Sequence, residues 1–227
     1  KNLSVVDDVA EVKVREAGLD RSTLATIIYT SGTTGNPKGV MLTHGNLLSN
    51  AQSTCAISFV DPHDVLLSWL PYSHIYARTV DHYLTTIAGL TVALAGSVET
   101  LMDDLKIIRP TWLTSVPRVY EKVWNGVAGL DEATRSSTLQ SIFGGRIKQL
   151  TSGGAPLPKY IAEGFVAAGL PLLEGYGLTE SSPVIAFNNI KQYRLGSVGL
   201  PLADVEVQIA DDGEILTRGP HVMPGYW

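Results

Sequence analysis

Cysteine is nearly absent. Cys55 stands alone in 227 residues, so no internal disulfide can staple the chain and its stability must come from a buried core. A single thiol also fits a reducing, cytoplasmic setting. Charge of one sign is not concentrated anywhere. Lys and Arg number 17 against 22 Asp and Glu, a net charge of -5, and no basic block is present to displace counterions from a nucleic-acid backbone. A nucleic-acid partner is therefore not expected. No apolar run approaches the roughly twenty residues of a membrane-spanning helix, and no secretory leader opens the chain. Peripheral contact with a membrane surface stays open. Internal repeats and low-complexity segments are missing too. The first residue is Lys1 rather than Met, and the sequence reads as an excerpt from a longer polypeptide.

What is present is ordinary globular material, 44% hydrophobic and 17% charged, long enough for one large domain or two small ones. Short β-branched and apolar runs at 24–29, 65–70, 90–95, 112–116, 147–151 and 170–173 read as strands. Helical stretches fall between them. Thr43 is placed to cap a helix burying Leu47, Leu48, Ala51 and Cys55. A helix over 78–88 is stopped by Gly89, and Thr100 with Asp103 makes a capping-box pattern for the next, which Pro110 ends. Residues 118–127 are helical, and Pro158 opens a helix that Gly169 closes. The polar stretch 126–141 reads as a loop. Val205, Val207 and Ile209 alternate before Asp212-Gly213 and a return at 214–217, the mark of a hairpin. The expected fold is α/β: a mainly parallel sheet flanked by helices, with a C-terminal antiparallel β-hairpin element. Residues 1–195 are expected to form the central α/β part, and 196–227 the start of a β-rich subdomain.

The strongest local feature runs from Tyr29 to Gly39. Thr30, Ser31, Gly32, Thr33, Thr34 and Gly35 follow a buried strand, and Lys38 precedes Gly39. Glycines let backbone N–H groups converge on an anion, hydroxyls add donors and a lysine adds charge. That is a phosphate cradle. It is not the Walker A loop, because Lys38 is followed by glycine rather than by a hydroxyl and the spacing differs. For a Gly/Ser/Thr run in isolation, a plain surface loop explains the composition as well.

The segment resembles the phosphate-binding signature of the adenylate-forming (AMP-binding) superfamily, which takes in acyl-CoA synthetases, luciferases and the adenylation domains of peptide synthetases. A second segment, Glu174 to Glu180, resembles that superfamily's adenine and magnesium motif. Its parts suit the task. Tyr176 offers an aromatic face to a base, Gly175 and Gly177 let backbone approach it, Thr179 supplies a hydroxyl and Glu180 a hard carboxylate oxygen for Mg²⁺. The run at 151–157, with Gly153, Gly154 and Ala155, resembles the wall of the adenine and acyl pockets, and the run at 71–75 resembles the segment that sets a histidine, His74, near the substrate carboxylate. Segments at 99–122 and 174–184 are most similar to long-chain acyl-CoA synthetases.

The resemblance implies the partial N-terminal domain of a ligase that activates a fatty acid with ATP, as acyl-AMP, and passes the acyl group to coenzyme A. It implies catalytic roles for His74, Lys38, Thr179 and Glu180. Thr30, Ser31, Gly32, Thr33, Thr34, Gly35, Lys38 and Thr179 would bind the ATP phosphates. Gly153, Gly154, Ala155, Glu174, Gly175, Tyr176 and Gly177 would enclose adenine, and Thr30 with Glu180 would hold Mg²⁺. Two alternatives stay open: transfer to a carrier protein instead of coenzyme A, and a non-catalytic nucleotide-binding fragment. The family's ribose-gripping aspartate, hinge and small C-terminal domain with its adenylation lysine are expected beyond Trp227. The family also carries a longer stretch between the segments at 115–122 and 144–146.

Overall fold

The structure is a computed structural model and describes residues 9–30 and 36–227. Helix α1 (Val9–Ala17) precedes the antiparallel pair β1 (Leu24–Thr30) and β2 (Lys38–Thr43). The sequence reads as loop from Thr30 to Gly39, so the first two residues of β2, Lys38 and Gly39, correct that reading. Pairing with β1 makes them strand: Tyr29 faces Gly39 and Thr30 faces Lys38 across the ladder. The expected phosphate cradle at Ser31, Gly32, Thr33, Thr34 and Gly35 falls outside the described residues.

Helix α2 (His44–Ser58) starts at the predicted cap. Thr43 Oγ1 accepts from Asn46 N at 3.1 Å, and Asn46 Oδ1 accepts from Thr43 N at 2.9 Å. Its buried face differs from the expected one. Leu47 and Ala51 are buried, but Leu48 and Cys55 are only partly covered, and Asn46, Ser49, Asn50, Thr54 and Ser58 go inside. The two asparagines bond backbone that packs against the helix, whereas Ser49 and Ser58 turn their hydroxyls back to carbonyls of the helix itself, Asn46 O and Thr54 O. Asn46 Nδ2 donates to the carbonyls of Pro220 and Val222, and Asn50 both donates to Val184 O and accepts from Val184 N.

The main sheet is built from alternating strands and helices. Strand β3 (Val65–Ser68) leads through α3 (Ile75–Ala77), a π-helical stretch Arg78–Leu84 and α4 (Thr85–Ala88) into β4 (Thr91–Leu94). Then come α5 (Leu101–Ile108), β5 (Trp112–Ser115), α6 (Pro117–Val127), α7 (Glu132–Ile142), β6 (Gln149–Ser152), α8 (Lys159–Ala167) and β7 (Leu172–Gly177). A 3₁₀ turn, Thr179–Ser181, separates β7 from β8 (Val184–Phe187) and β9 (Leu200–Pro201). The strand order is β4-β3-β5-β6-β7-β8-β9. It is parallel from β4 through β7, and β8 and β9 run antiparallel. Adjacent residues serve opposite faces, as the pleat requires. Leu67, Leu113 and Leu150 join Leu105, Tyr120, Phe143 and Phe165 on one side. Leu66 and Trp112 join Val80, Val184 and Phe187 on the other.

Three local expectations are corrected. The stretch read as a loop over 126–141 is largely helical. Val127 still belongs to α6, and α7 begins at an Asp131 cap that accepts from Thr134 N at 3.0 Å. Its pattern is weak because Leu139 is the one residue of α7 that is buried. The Thr100 hydroxyl does not cap α5; it accepts from Ser97 N and donates to Asp104, so Asp103 closes no capping box. The helix predicted over 78–88 is real, but its first half is a π-helix.

The last segment distributes itself among three sheets. Leu200–Pro201 extends the main sheet as β9, and β10 (Glu206–Ile209) and β11 (Ile215–Arg218) form the predicted hairpin with Gly213 at φ 89°. Strand β12 (Gly225–Tyr226) returns to pair with β2. Among the described residues, no helix is long and apolar enough to cross a membrane.

Candidate active site

The carboxyl ends of β3, β6 and β7 feed one region, the place where open α/β sheets bind ligands. Gly153 and Gly154 follow β6, Leu178 to Glu180 follow β7, and the loop to His74 follows β3. These residues meet around a cavity of about 270 Å³. Thr30, His74, Gly153, Gly154, Gly175, Tyr176, Gly177, Thr179 and Glu180 all line it. Its deeper wall is formed by the buried residues Trp112, Val80, Val184 and Phe187, with Thr54 and Ser58 from α2. A second, open recess adjoins it and shares Thr30, His74 and Thr179. Of the sequence-predicted residues in the described part, Lys38, Ala155 and Glu174 do not line the cavity.

Glu174 works sideways. Its Oε1 accepts from Leu157 N at 3.3 Å, tying the loop after β6 to β7, and burial pushes its pKa up. The glycines of β7 are required by its neighbour as well as by the cavity. A Cβ on Gly175 would lie 2.9 Å from the Phe187 ring, and one on Gly177 would lie 1.8 Å from Pro183 O. Gly153 is packed under Tyr76, and Gly154 takes φ 80°, a region that disfavours side chains. His74 caps α3 by accepting from Tyr76 N through Nδ1 at 3.3 Å. In the neutral ring this leaves the proton on Nε2, as a donor.

Beneath the cavity lies a buried polar row that the sequence did not single out. Ser68 Oγ donates to Asp81 Oδ2 at 2.8 Å, Tyr120 donates to Thr151 O at 2.9 Å, and Trp69 Nε1 donates to Thr114 O at 3.1 Å. Tyr76 stands 3.4 Å from Thr151 Oγ1. Asp81 is fully buried, and desolvation pushes its pKa up to about 7 against the lowering pull of its hydroxyl partners. Burial likewise raises the Tyr76 and Tyr120 phenols. Asp81 sits on the π-helix, whose wide turn also brings Thr79 Oγ1 to Ser182 O at 3.1 Å. Only the helical period could have flagged Asp81, and a π-turn breaks that period.

Mg²⁺ would have to be held without a protein cage, since no cluster of three or more His, Cys, Asp or Glu side chains suited to a metal exists among the described residues. The donors present fit that ion even so. Mg²⁺ usually takes one or two carboxylates and completes its shell with phosphate and water oxygens. Glu180 and the Thr30 hydroxyl line the same cavity, and Glu180 Oε2 has no partner among the described residues.

Comparison with known proteins identifies the family and the fold. The family model described as AMP-binding enzyme matches residues 3–227. Long-chain-fatty-acid–CoA ligase FadD15 of Mycobacterium bovis is 33% identical over 261 residues, taking in 97% of this chain and 43% of the relative. Peroxisomal long chain acyl-CoA synthetase 6 of Arabidopsis thaliana is 36% identical over 253 residues, covering 90% of this chain and 36% of the relative. The chain thus spans less than half the length of these relatives. Among solved structures, ATP-bound MatB from Rhodopseudomonas palustris superposes with a TM-score of 0.77 at 30% identity, covering 92% of this chain and 42% of that one. The MenE synthetase of Bacillus subtilis, in complex with ATP and magnesium ion, gives 0.74 at 28% identity, covering 92% and 44%. With a strand-end cavity and a family match across nearly its whole length, the chain belongs to the AMP-binding enzymes.

Proposed function

We propose that the chain carries the adenylation centre of a long-chain fatty acid–CoA ligase. The observation that carries the reading is the single cavity that joins the glycines of β7, Thr179 and Glu180 to a deep wall of Trp112, Val80, Val184 and Phe187. A polar mouth next to an apolar interior suits a molecule with an anionic head and a hydrocarbon tail. The named relatives are fatty-acid and acyl-CoA ligases, which supports the same assignment.

Attack of a carboxylate on the α-phosphorus of ATP brings two anions together, so the site must neutralise charge and hold the partners in line. Tyr176, Gly153 and Gly154 enclose the adenine, with Gly175 and Gly177 shaping its slot; Ala155 continues the loop after β6, which Glu174 fixes. Thr179 donates to the α-phosphate. Lys38 and the segment Ser31, Gly32, Thr33, Thr34 and Gly35 bind the β- and γ-phosphates and favour loss of pyrophosphate. Glu180 and Thr30 would hold Mg²⁺, which when bound would further neutralise the phosphate charge. His74, with Nε2–H free to donate, orients the fatty-acid carboxylate. The thiol of coenzyme A then attacks the acyl-AMP carbonyl and AMP leaves.

The test is exchange of labelled pyrophosphate into ATP, with Mg²⁺ and a series of acids from acetate to palmitate. Exchange that grows with chain length is expected. Exchange driven equally by acetate, or by no acid at all, overturns the acyl assignment. Supplying coenzyme A or a carrier protein to the acyl-AMP then identifies the acceptor, with thioester expected on coenzyme A.

A further inference from the structure

The end of the chain is fastened to the candidate site by a series of directed bonds. Asn46 holds the carbonyls of Pro220 and Val222, Ser182 Oγ donates to His221 O at 2.8 Å, and Met223 N donates to Glu180 O at 2.9 Å. Strand β12 pairs with β2, and Trp227 N donates to Gly39 O at 2.7 Å. The series places Tyr226 between two residues of opposite charge. Its hydroxyl donates to Glu180 Oε1 at 2.9 Å, and the Lys38 ammonium stands 5.2 Å from the centre of its ring. Lys38 and Glu180 make no ion pair with each other among the described residues.

From this geometry we infer that Tyr226 is a positioning residue that keeps Lys38 and Glu180 apart and aims each at its own part of Mg·ATP. The inference rests on the metal and phosphate roles proposed above for those two residues. A lysine and a glutamate this near to one ring would otherwise meet, and an ion pair would occupy the charges the substrate needs. Tyrosine prevents that with its two chemistries. The π face takes the cation, and the hydroxyl bonds one carboxylate oxygen and leaves Oε2 open. Phenylalanine could do the first alone, and alanine neither.

Two variants therefore separate the two functions. In Tyr226→Phe the ring stays under Lys38 and only the bond to Glu180 is lost. The Mg²⁺ concentration for half-maximal ATP binding, read by calorimetry, is expected to rise about ten- to a hundredfold, the scale of one hydrogen bond to a charged group. ATP affinity in EDTA should not move, and excess Mg²⁺ should restore the rate of pyrophosphate exchange. In Tyr226→Ala, metal-free ATP affinity should fall as well, because Lys38 pairs with Glu180. A merely structural tyrosine would lower the melting temperature and leave the Mg²⁺ midpoint in place; that result in Tyr226→Phe, with the midpoint shifted by Glu180→Gln, overturns the inference alone. An unshifted midpoint in Glu180→Gln removes the metal assignment beneath it, and the inference falls with it.

Discussion

Replacing Asp81 by asparagine should remove a specific pH dependence of stability. The side chain keeps its shape and can still accept from the Ser68 hydroxyl, but it no longer titrates. In the folded chain the carboxyl is fully buried and its pKa rises from 3.8 to about 7. A raised carboxyl pKa means that the folded state holds its proton more tightly than the unfolded state does. The stabilisation from protonated Asp81 is then complete below pH 3.8 and is lost as pH climbs through about 7. A shift of about 3 units, at about 1.4 kcal/mol each, amounts to roughly 4 kcal/mol across the whole window. Urea unfolding of wild type and Asp81→Asn between pH 5 and pH 8 samples most of it. The stability difference should move in favour of the variant by roughly 3 kcal/mol over that span and level off above it. Subtracting the two curves cancels every other titrating group. Parallel curves would refute the reasoning, since they would mean that Asp81 titrates in the fold as it does in the unfolded chain. Ser68→Ala, which deletes a bond that lowers the pKa, should push the end of the window to higher pH.

Four further outcomes are expected. Asp64 is 2% exposed and its Oδ1 lies 2.6 Å from Nζ of Lys148, whose side chain is 52% exposed, so Lys148→Ala should cost only roughly 1 kcal/mol by urea titration; no measurable loss would refute the pairing. Gly177→Ala places a methyl 1.8 Å from the Pro183 carbonyl, which must part β7 from β8; a loss of about 2 kcal/mol and weakened ATP binding should follow, and native ATP affinity would contradict it. Asn50→Ala leaves Val184 N and O unpaired in the interior and should cost about 2 kcal/mol in a thermal melt, with a silent result arguing against the clamp. Glu180→Ala should slow pyrophosphate exchange about a hundredfold or more, and a near-native rate would remove Glu180 from metal binding.

The α/β order was legible because it depends on local patterns. Apolar runs ended by Gly or Pro located β3 to β7, and the Thr43, Pro158, Gly89 and Gly213 signals fell where the chain turns. The misreadings have physical causes. Strand β2 carries no β-branched run at its start and exists because β1 lies beside it. Helix α7 has almost no apolar face to declare itself. Helix α2 buries Asn46 and Asn50 because they bond backbone of distant segments, and buries Ser49 and Ser58 with their hydroxyls turned back onto the helix, and no hydropathy pattern encodes either.

For the candidate site, the residue types that chemistry demands are legible locally: glycines beside hydroxyls, Lys38, and Tyr176 three and four residues ahead of Thr179 and Glu180. Those signals are contiguous, and local spacing carries them. Tertiary structure alone decided the rest, because each remaining partnership joins positions far apart in the chain. Thr54 and Trp112 share a cavity wall with Phe187, Asp81 meets Ser68 beneath it, and Tyr226 reaches back to Glu180 and Lys38. Strand pairing and helix packing set those distances, and a linear pattern holds no record of them until the sheet has formed.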